Sequence, residues 1–123
     1  MLLVVLPTMI AASIIGVWLF SLQHRFEGVH WSRREEWNVA TASLQGSSHL
    51  RLPKLLQWLT GNIGFHHVHH LDPKVPNYRL QRCHFSHSAF QRAPVVTLRS
   101  GLSSSRYCLW DEEQDAMVRI PPR

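Results

Sequence analysis

The sequence predicts an all-α protein: a membrane-embedded helical bundle fragment with one transmembrane helix, then cytosolic or interfacial helices, then an irregular tail. Three observations carry that reading. Residues 2–22 hold no charged side chain, and about 20 such residues are what a helix needs to cross the hydrocarbon core. Leu52, Leu55, Leu56 and Leu59 recur at i, i+3, i+4 and i+7, the period of one helical face. The run Gly61 to Leu71 packs His66, His67, His69 and His70 into five positions. At about 100° per residue, a helix there sets His66, His69 and His70 on one face within about a third of a turn. His67 falls at the edge of that face, and Val68 points away from it.

Composition fits the same picture. Apolar residues make up 45% of the 123-residue chain, yet they are massed at the N-terminus, while the second half is polar, rich in Ser and Arg and dotted with proline. This is a membrane segment followed by a water-facing tail, and the expected division falls at residues 1–92 and 93–123, the latter polar and partly disordered. The net charge of +5 comes from Lys and Arg that begin only at Arg25. No basic-aromatic alternation or recognition helix accompanies them, so nucleic acid is not an expected partner, and anionic lipid headgroups are the expected neighbours of the basic residues beside the span. Cys83 and Cys108 sit apart without CxxC spacing and suggest a reducing, cytosolic environment.

Along the chain, the first helix is read as a span rather than a signal peptide, because no positive residue precedes the apolar run and the run is long. Pro7 lies in the first turns, where its missing N–H costs least, and Gly16 lets a neighbouring helix approach. Arg25, Arg33, Arg34, Arg51 and Lys54 all follow the span, which places the histidines and the C-terminus on the cytosolic side. Trp18, Trp31 and Trp37 are spaced as rings at headgroup level. A short helix and a loop are expected between Ser32 and Gly46. The leucine helix follows, with Pro53 in its first turn and Gly61 just past its end; it lies in the interface plane or packs on other helices. Pro73 and Pro76 then end any helix at or before Asp72. Beyond Ala93 only Tyr107 to Trp110, followed by Asp111, Glu112 and Glu113, offers a small anchor.

Neutral imidazole suits iron, zinc, copper and nickel, so the histidine run points to a transition-metal site without choosing the metal. No glutamate lies in the run, which excludes an HExxH zinc protease locally. Glu27-Gly28-Val29-His30 is the one ExxH of the kind a ferritin-like di-iron site needs, and Gly28 weakens it. Packing alone explains four clustered histidines poorly, since protonated neighbours would repel. His66, His69 and His70 are the candidate ligands, with His67 either an outer partner or a bystander. His24, at the exit of the span, is a further candidate. Asn62, four residues before His66, is either on the ligand face or a helix cap. His30, His49, His84 and His87 are read as surface residues.

The run from Leu52 through Gly61-Asn62-Ile63-Gly64-Phe65-His66-His67-Val68-His69-His70-Leu71 to Pro76-Asn77-Tyr78-Arg79-Leu80 resembles the C-terminal part of the membrane fatty acid desaturases. It is most similar to the acyl-lipid desaturases of the delta-12/omega-6 kind. His66, His69 and His70 fill that family's third histidine box, HxxHH. Gln23-His24-Arg25-Phe26-Glu27 resembles its QHxFE, and Leu109-Trp110-Asp111-Glu112-Glu113 resembles its LWDE. The resemblance implies that residues 1–92 are the C-terminal part of a desaturase domain, with a histidine-held di-iron centre and O2 as oxidant. It further implies a fatty-acyl lipid substrate in the bilayer and electrons from a ferredoxin or cytochrome b5 type donor. The family's first two histidine boxes are absent, and the tail around Ser103 to Arg106 is less regular than its pattern. The expectation is therefore a truncated chain whose ligand set is incomplete and which is inactive alone. A histidine-box membrane hydroxylase and a non-catalytic membrane-anchored metal-binding fragment are the alternatives.

Overall fold

The computed structural model describes residues 1–104 and 106–120. Its first element, α1 (Leu2–His24), is one unbroken 23-residue helix, about 35 Å long at about 1.5 Å per residue. Pro7 is accommodated inside it. Among the described residues it is the one helix long and apolar enough to cross a membrane. Nearly all its side chains are exposed, and burial begins only at Leu22 and Gln23.

Beyond α1 the chain turns at Gly28, with φ of +76°, so Glu27 lies in the turn and His30 in the chain just after it, both exposed. The ExxH match is thus not helical. Helix α2 (Val39–Gln45) starts where the Asn38 side chain accepts hydrogen bonds from the Ala40 and Thr41 amides, satisfying donors that a helix start leaves free. The short strand β1 (His49–Arg51) follows, and then α3 (Lys54–Leu59) with Pro53 at its N-cap. Gly61 and Asn62 both adopt positive φ, +62° and +59°, which ends that helix as glycine past a helix end does. A 3-10 turn (Ile63–Phe65) leads into α4 (His66–Leu71), and α5 (Asn77–Ser86) comes after the two prolines. The histidine run is therefore a 3-10 turn joined to about one and a half α-turns, and the helix on which the histidines share a face covers only His66–Leu71.

The chain is mostly helical but not all-α, and the described part of its tail is not irregular. Strand β2 (Val95–Thr97) lies parallel to β1, with His49 opposite Val95, Leu50 opposite Val96 and Arg51 opposite Thr97. After it come α6 (Leu98–Ser104) and the antiparallel hairpin of β3 (Tyr107–Asp111) and β4 (Ala116–Arg119). Ser105 lies outside the described residues. Physical reasons for these strands are local. Val95, Val96 and Thr97 are β-branched, follow Pro94, and favour extended backbone. In the hairpin the Asp111 carboxylate accepts from the amides of Glu113 and Gln114, the side-chain turn that Asp forms readily.

Leu50, fully buried, sits centrally. With Leu22, Phe26 and Val96 it forms one core, and Phe65, Val68 and Leu80 form a second. Gly101 meets Leu22 so closely that a Cβ there would lie 2.9 Å from Leu22 Cδ2. Arg25, expected against lipid headgroups, instead donates from Nε and Nη2 to the Tyr107 carbonyl at 3.1 and 2.9 Å. Helix α3 turns its apolar stripe outward: Leu55, Leu56 and Leu59 are 66%, 40% and 61% exposed, while Gln57 is buried.

Gly64 is the tightest point between β1 and α3. A Cβ there would meet the Leu50 carbonyl oxygen and lie 2.6 Å from Gln57 Oε1. Overpacking of this kind costs about 1–3 kcal/mol. Gly64→Ala is expected to lower the melting temperature of the purified chain in detergent, measured by circular dichroism; an unchanged melt would sink this packing.

Candidate metal centre

Three imidazoles from two distant stretches meet at one point. His24 closes α1, and its Nδ1 donates to the Gly46 carbonyl at 3.2 Å. A carbonyl only accepts, so Nδ1 carries the proton and Nε2 of the neutral ring presents a lone pair. His66 opens α4 and His70 stands one turn later. Nε2 of His24 lies 3.0 Å from Nε2 of His66 and 3.2 Å from Nε2 of His70, and the last two are 3.0 Å apart.

Hydrogen bonding cannot satisfy that triangle. Each Nε2 either carries a proton or a lone pair, so at least two of the three are alike, and at least one edge sets proton against proton or lone pair against lone pair. A cation bound by three lone pairs removes the conflict. Imidazole–metal bonds of about 2.0–2.1 Å separate ligand nitrogens by about 2.9–3.4 Å at octahedral to tetrahedral angles, and the observed separations fall in that range. Nδ1 of His66 is buried without a hydrogen-bond partner, so no hydrogen bond there fixes which nitrogen of its ring carries the proton.

Electrostatics favour the unprotonated state. Burial, and then the neighbouring His70, His24, His69 and His67, push His66 down to about 3. Burial, then His24 and His69, also lower His70. Both are neutral at pH 7, as metal binding requires. The Phe20 ring, one turn before His24, closes one side with its centroid 4.6 Å from His24 and 6.2 Å from His66.

The remaining predicted residues divide. His69 stays out of the triangle, stacked on His66 at 5.9 Å between centroids. On a helix, i+3 falls about 60° to one side of residue i and i+4 about 40° to the other, so α1, by meeting the His70 side, leaves His69 at the far rim. His67 turns inward, fully buried, with Nε2 2.9 Å from Nδ1 of His84. Asn62 makes no side-chain cap bond and lines a different cleft, with Trp58, Phe65 and Tyr78.

Two histidines read as surface residues are not. His84 is buried beside His67, and the half-buried His49 stacks on Phe65 at 4.8 Å with its ring 4.7 Å from His84. His30 and His87 are exposed, as expected. A signal for His84 existed: Leu80 and His84 are i and i+4 on α5 and share its inner face. For His49 there was none, because a three-residue strand has too few positions to show alternation.

The elements define a class first: a long apolar helix ending in a histidine triad able to hold a transition metal, completed by a short histidine-rich helix. Comparison with known proteins then gives the family. The fatty acid desaturase family matches residues 1–100, and the chain belongs to that family. A fatty acid desaturase of Bacillus subtilis is 50% identical over 112 residues, 91% of this chain and 32% of its own length. A chloroplastic omega-6 fatty acid desaturase of Glycine max is 35% identical over 65 residues, covering 53% of this chain and 15% of its own. An sn-1 oleoyl-lipid 12-desaturase of Picosynechococcus is 34% identical over 65 residues, 53% of this chain and 19% of its own. The resemblance to the delta-12/omega-6 kind is thus borne out, and the chain spans about a third or less of these relatives. No solved structure matches.

Burial pushes His67 down to about 3 and His49 to about 4, with His84 the next cause for each. Because folding lowers these values from 6.5, the unfolded chain binds more protons at acid pH, and stability falls as pH drops from about 6.5 towards 3. Metal-free protein is expected to melt progressively lower between pH 7 and pH 4 than at neutrality. A flat profile would contradict neutral buried imidazoles.

Proposed function

We propose that this chain forms the C-terminal part of a membrane-bound fatty acid desaturase, with His24, His66 and His70 holding one iron of a di-iron centre. The observation that carries the reading is the triangle of Nε2 atoms, 3.0–3.2 Å apart with no consistent pattern of protons. His69, beside the triad but outside it, would serve the second iron, whose other ligands lie outside this chain. Asn62 has no such support. The donor set fits iron: neutral imidazoles suit it, and no thiolate competes.

Bound iron supplies O2 activation and the oxidising power that no side chain has. Overall, an acyl CH2–CH2 pair, O2, two electrons and two protons give CH=CH and two waters. The residues here would hold and aim. Gly46 fixes the His24 ring through Nδ1, and Phe20 excludes water from one side. A cleft of about 490 Å³ runs along α1 past Ala12, Ile15, Gly16, Leu19 and Phe20 to His66, apolar as an acyl chain requires.

The bilayer setting is supported by the exposed apolar length of α1 and the outward leucines of α3. Basic residues gathered after α1 support a cytosolic histidine site. They could also steer an acidic donor of the ferredoxin or cytochrome b5 type. The relatives' names favour desaturation over hydroxylation. Supplying one part of the ligand set, these residues alone would not desaturate.

Anaerobic Fe(II) titration of the purified chain in detergent tests the site. About one iron per chain is expected, and His66→Ala or His70→Ala should weaken binding at least tenfold. Iron binding unaffected by either substitution would remove the triad from the reading. Expression of the chain in a desaturase-null membrane should yield no new double bonds in the lipids.

A further inference from the structure

His84 is buried, lies outside the histidine run and has no part in the triad, yet its Nδ1 is 2.9 Å from Nε2 of His67, the residue adjoining His66. We propose that His84 is a positioning residue for the metal ligands, fixing the rotation of α4 about its axis through His67 and so aiming His66 and His70. The inference rests on the metal-centre reading.

Helix α4 has six residues, too few to hold its own shape without packing. His66 and His70 face α1 and His67 faces α5, turned about 100° from His66 and about 60° from His70. A ligand nitrogen stands about 6 Å from the helix axis, so a 10° rotation of α4 moves it by about 1 Å. Metal–ligand distances tolerate about 0.2 Å. Rotation must therefore be held to a few degrees.

Val68 and Phe65 pack α4 against Leu80, but apolar contact has no preferred direction and tolerates such a shift. A buried imidazole pair is directional. It is also costly, because burying two polar rings is offset only if they bond each other. An apolar pair would stabilise the fold at least as well. What His67 and His84 add is orientation. His49 limits His84 in turn, its ring 4.7 Å away and itself stacked on Phe65.

The test uses the full 123-residue chain in detergent with Co(II), whose visible absorption reports ligand geometry. His84→Leu removes the bond but fills the space. His84→Asn places an amide where Nδ1 was, and His84→Gln places it one bond too far. Leu and Gln should weaken Co(II) affinity about tenfold or more and alter the spectrum, with helix content unchanged; Asn should stay within about threefold of the parent. Should the Leu variant not fold, the Asn–Gln difference carries the comparison. Parent-like affinity and spectrum in the Leu variant, or equal affinities for Asn and Gln, would overturn the inference. Those results alongside loss of binding in His66→Ala leave the metal centre standing, whereas a parent chain that does not bind Co(II) removes both.

Discussion

Three lone-pair nitrogens held about 3 Å apart cannot be reconciled by any arrangement of protons, and the structure around His24, His66 and His70 is built to hold them there nonetheless. Without a cation the cluster costs stability, through the buried His66 imidazole, the half-buried His24 and one unavoidable like-with-like contact. The fold meets that cost from several directions. The Gly46 carbonyl, just past α2, accepts a hydrogen bond from His24 Nδ1–H, the core around Leu50 seats the end of α1, and the core around Val68 seats α4. The cluster joins residues 42 positions apart, so both ends must be fixed independently.

The tail fixes one of those ends. Leu22, two residues before His24, packs on Gly101, and Arg25, one residue after it, reaches the Tyr107 carbonyl. Trp31 packs on Trp110 at 5.6 Å between centroids, and Trp110, Glu112 and Met117 share a cavity with His24. The Leu-Trp-Asp-Glu stretch is thus not a loose appendage: with α6 it brackets the turn that sets the aim of His24.

Much of this was legible in the sequence, and the reasons for the rest are specific. The uncharged run gave α1, and the leucine spacing with Pro53 and Gly61 gave α3, because both follow from long-range periodicity or strong punctuation. His24 and His66 could be paired only through motif order. Their contact depends on the path of α2 and β1, which no local pattern encodes. Strand β2 was missed because three residues carry no periodicity, and its partner lies more than forty positions earlier. The three candidate ligands of the histidine run were placed on one face by a rule for continuous helices. His66, His69 and His70 do lie together on α4, but α1 approaches from the His70 side, which no local pattern encodes, so His69 is left at the rim.

Outward apolar surface on α1 and α3 is the counterpart of the inward polar surface at Gln57, His67 and His84. In water this is the wrong way round: each buried Leu side chain would contribute about 1.5–3 kcal/mol, and Leu55, Leu56 and Leu59 forgo it. In a bilayer, or against further membrane helices, the same arrangement is favourable, because the leucines meet hydrocarbon and the polar side chains find their partners inside. The proposed setting and the proposed chemistry then depend on one another. A site that oxidises an unactivated acyl chain must be open to hydrocarbon and closed to water, and the cleft running from Ala12 to His66 along α1 joins the apolar exterior to the imidazole triad. Apolar side chains turned outward along α1 and the buried His66 at the inner end of the cleft make that connection.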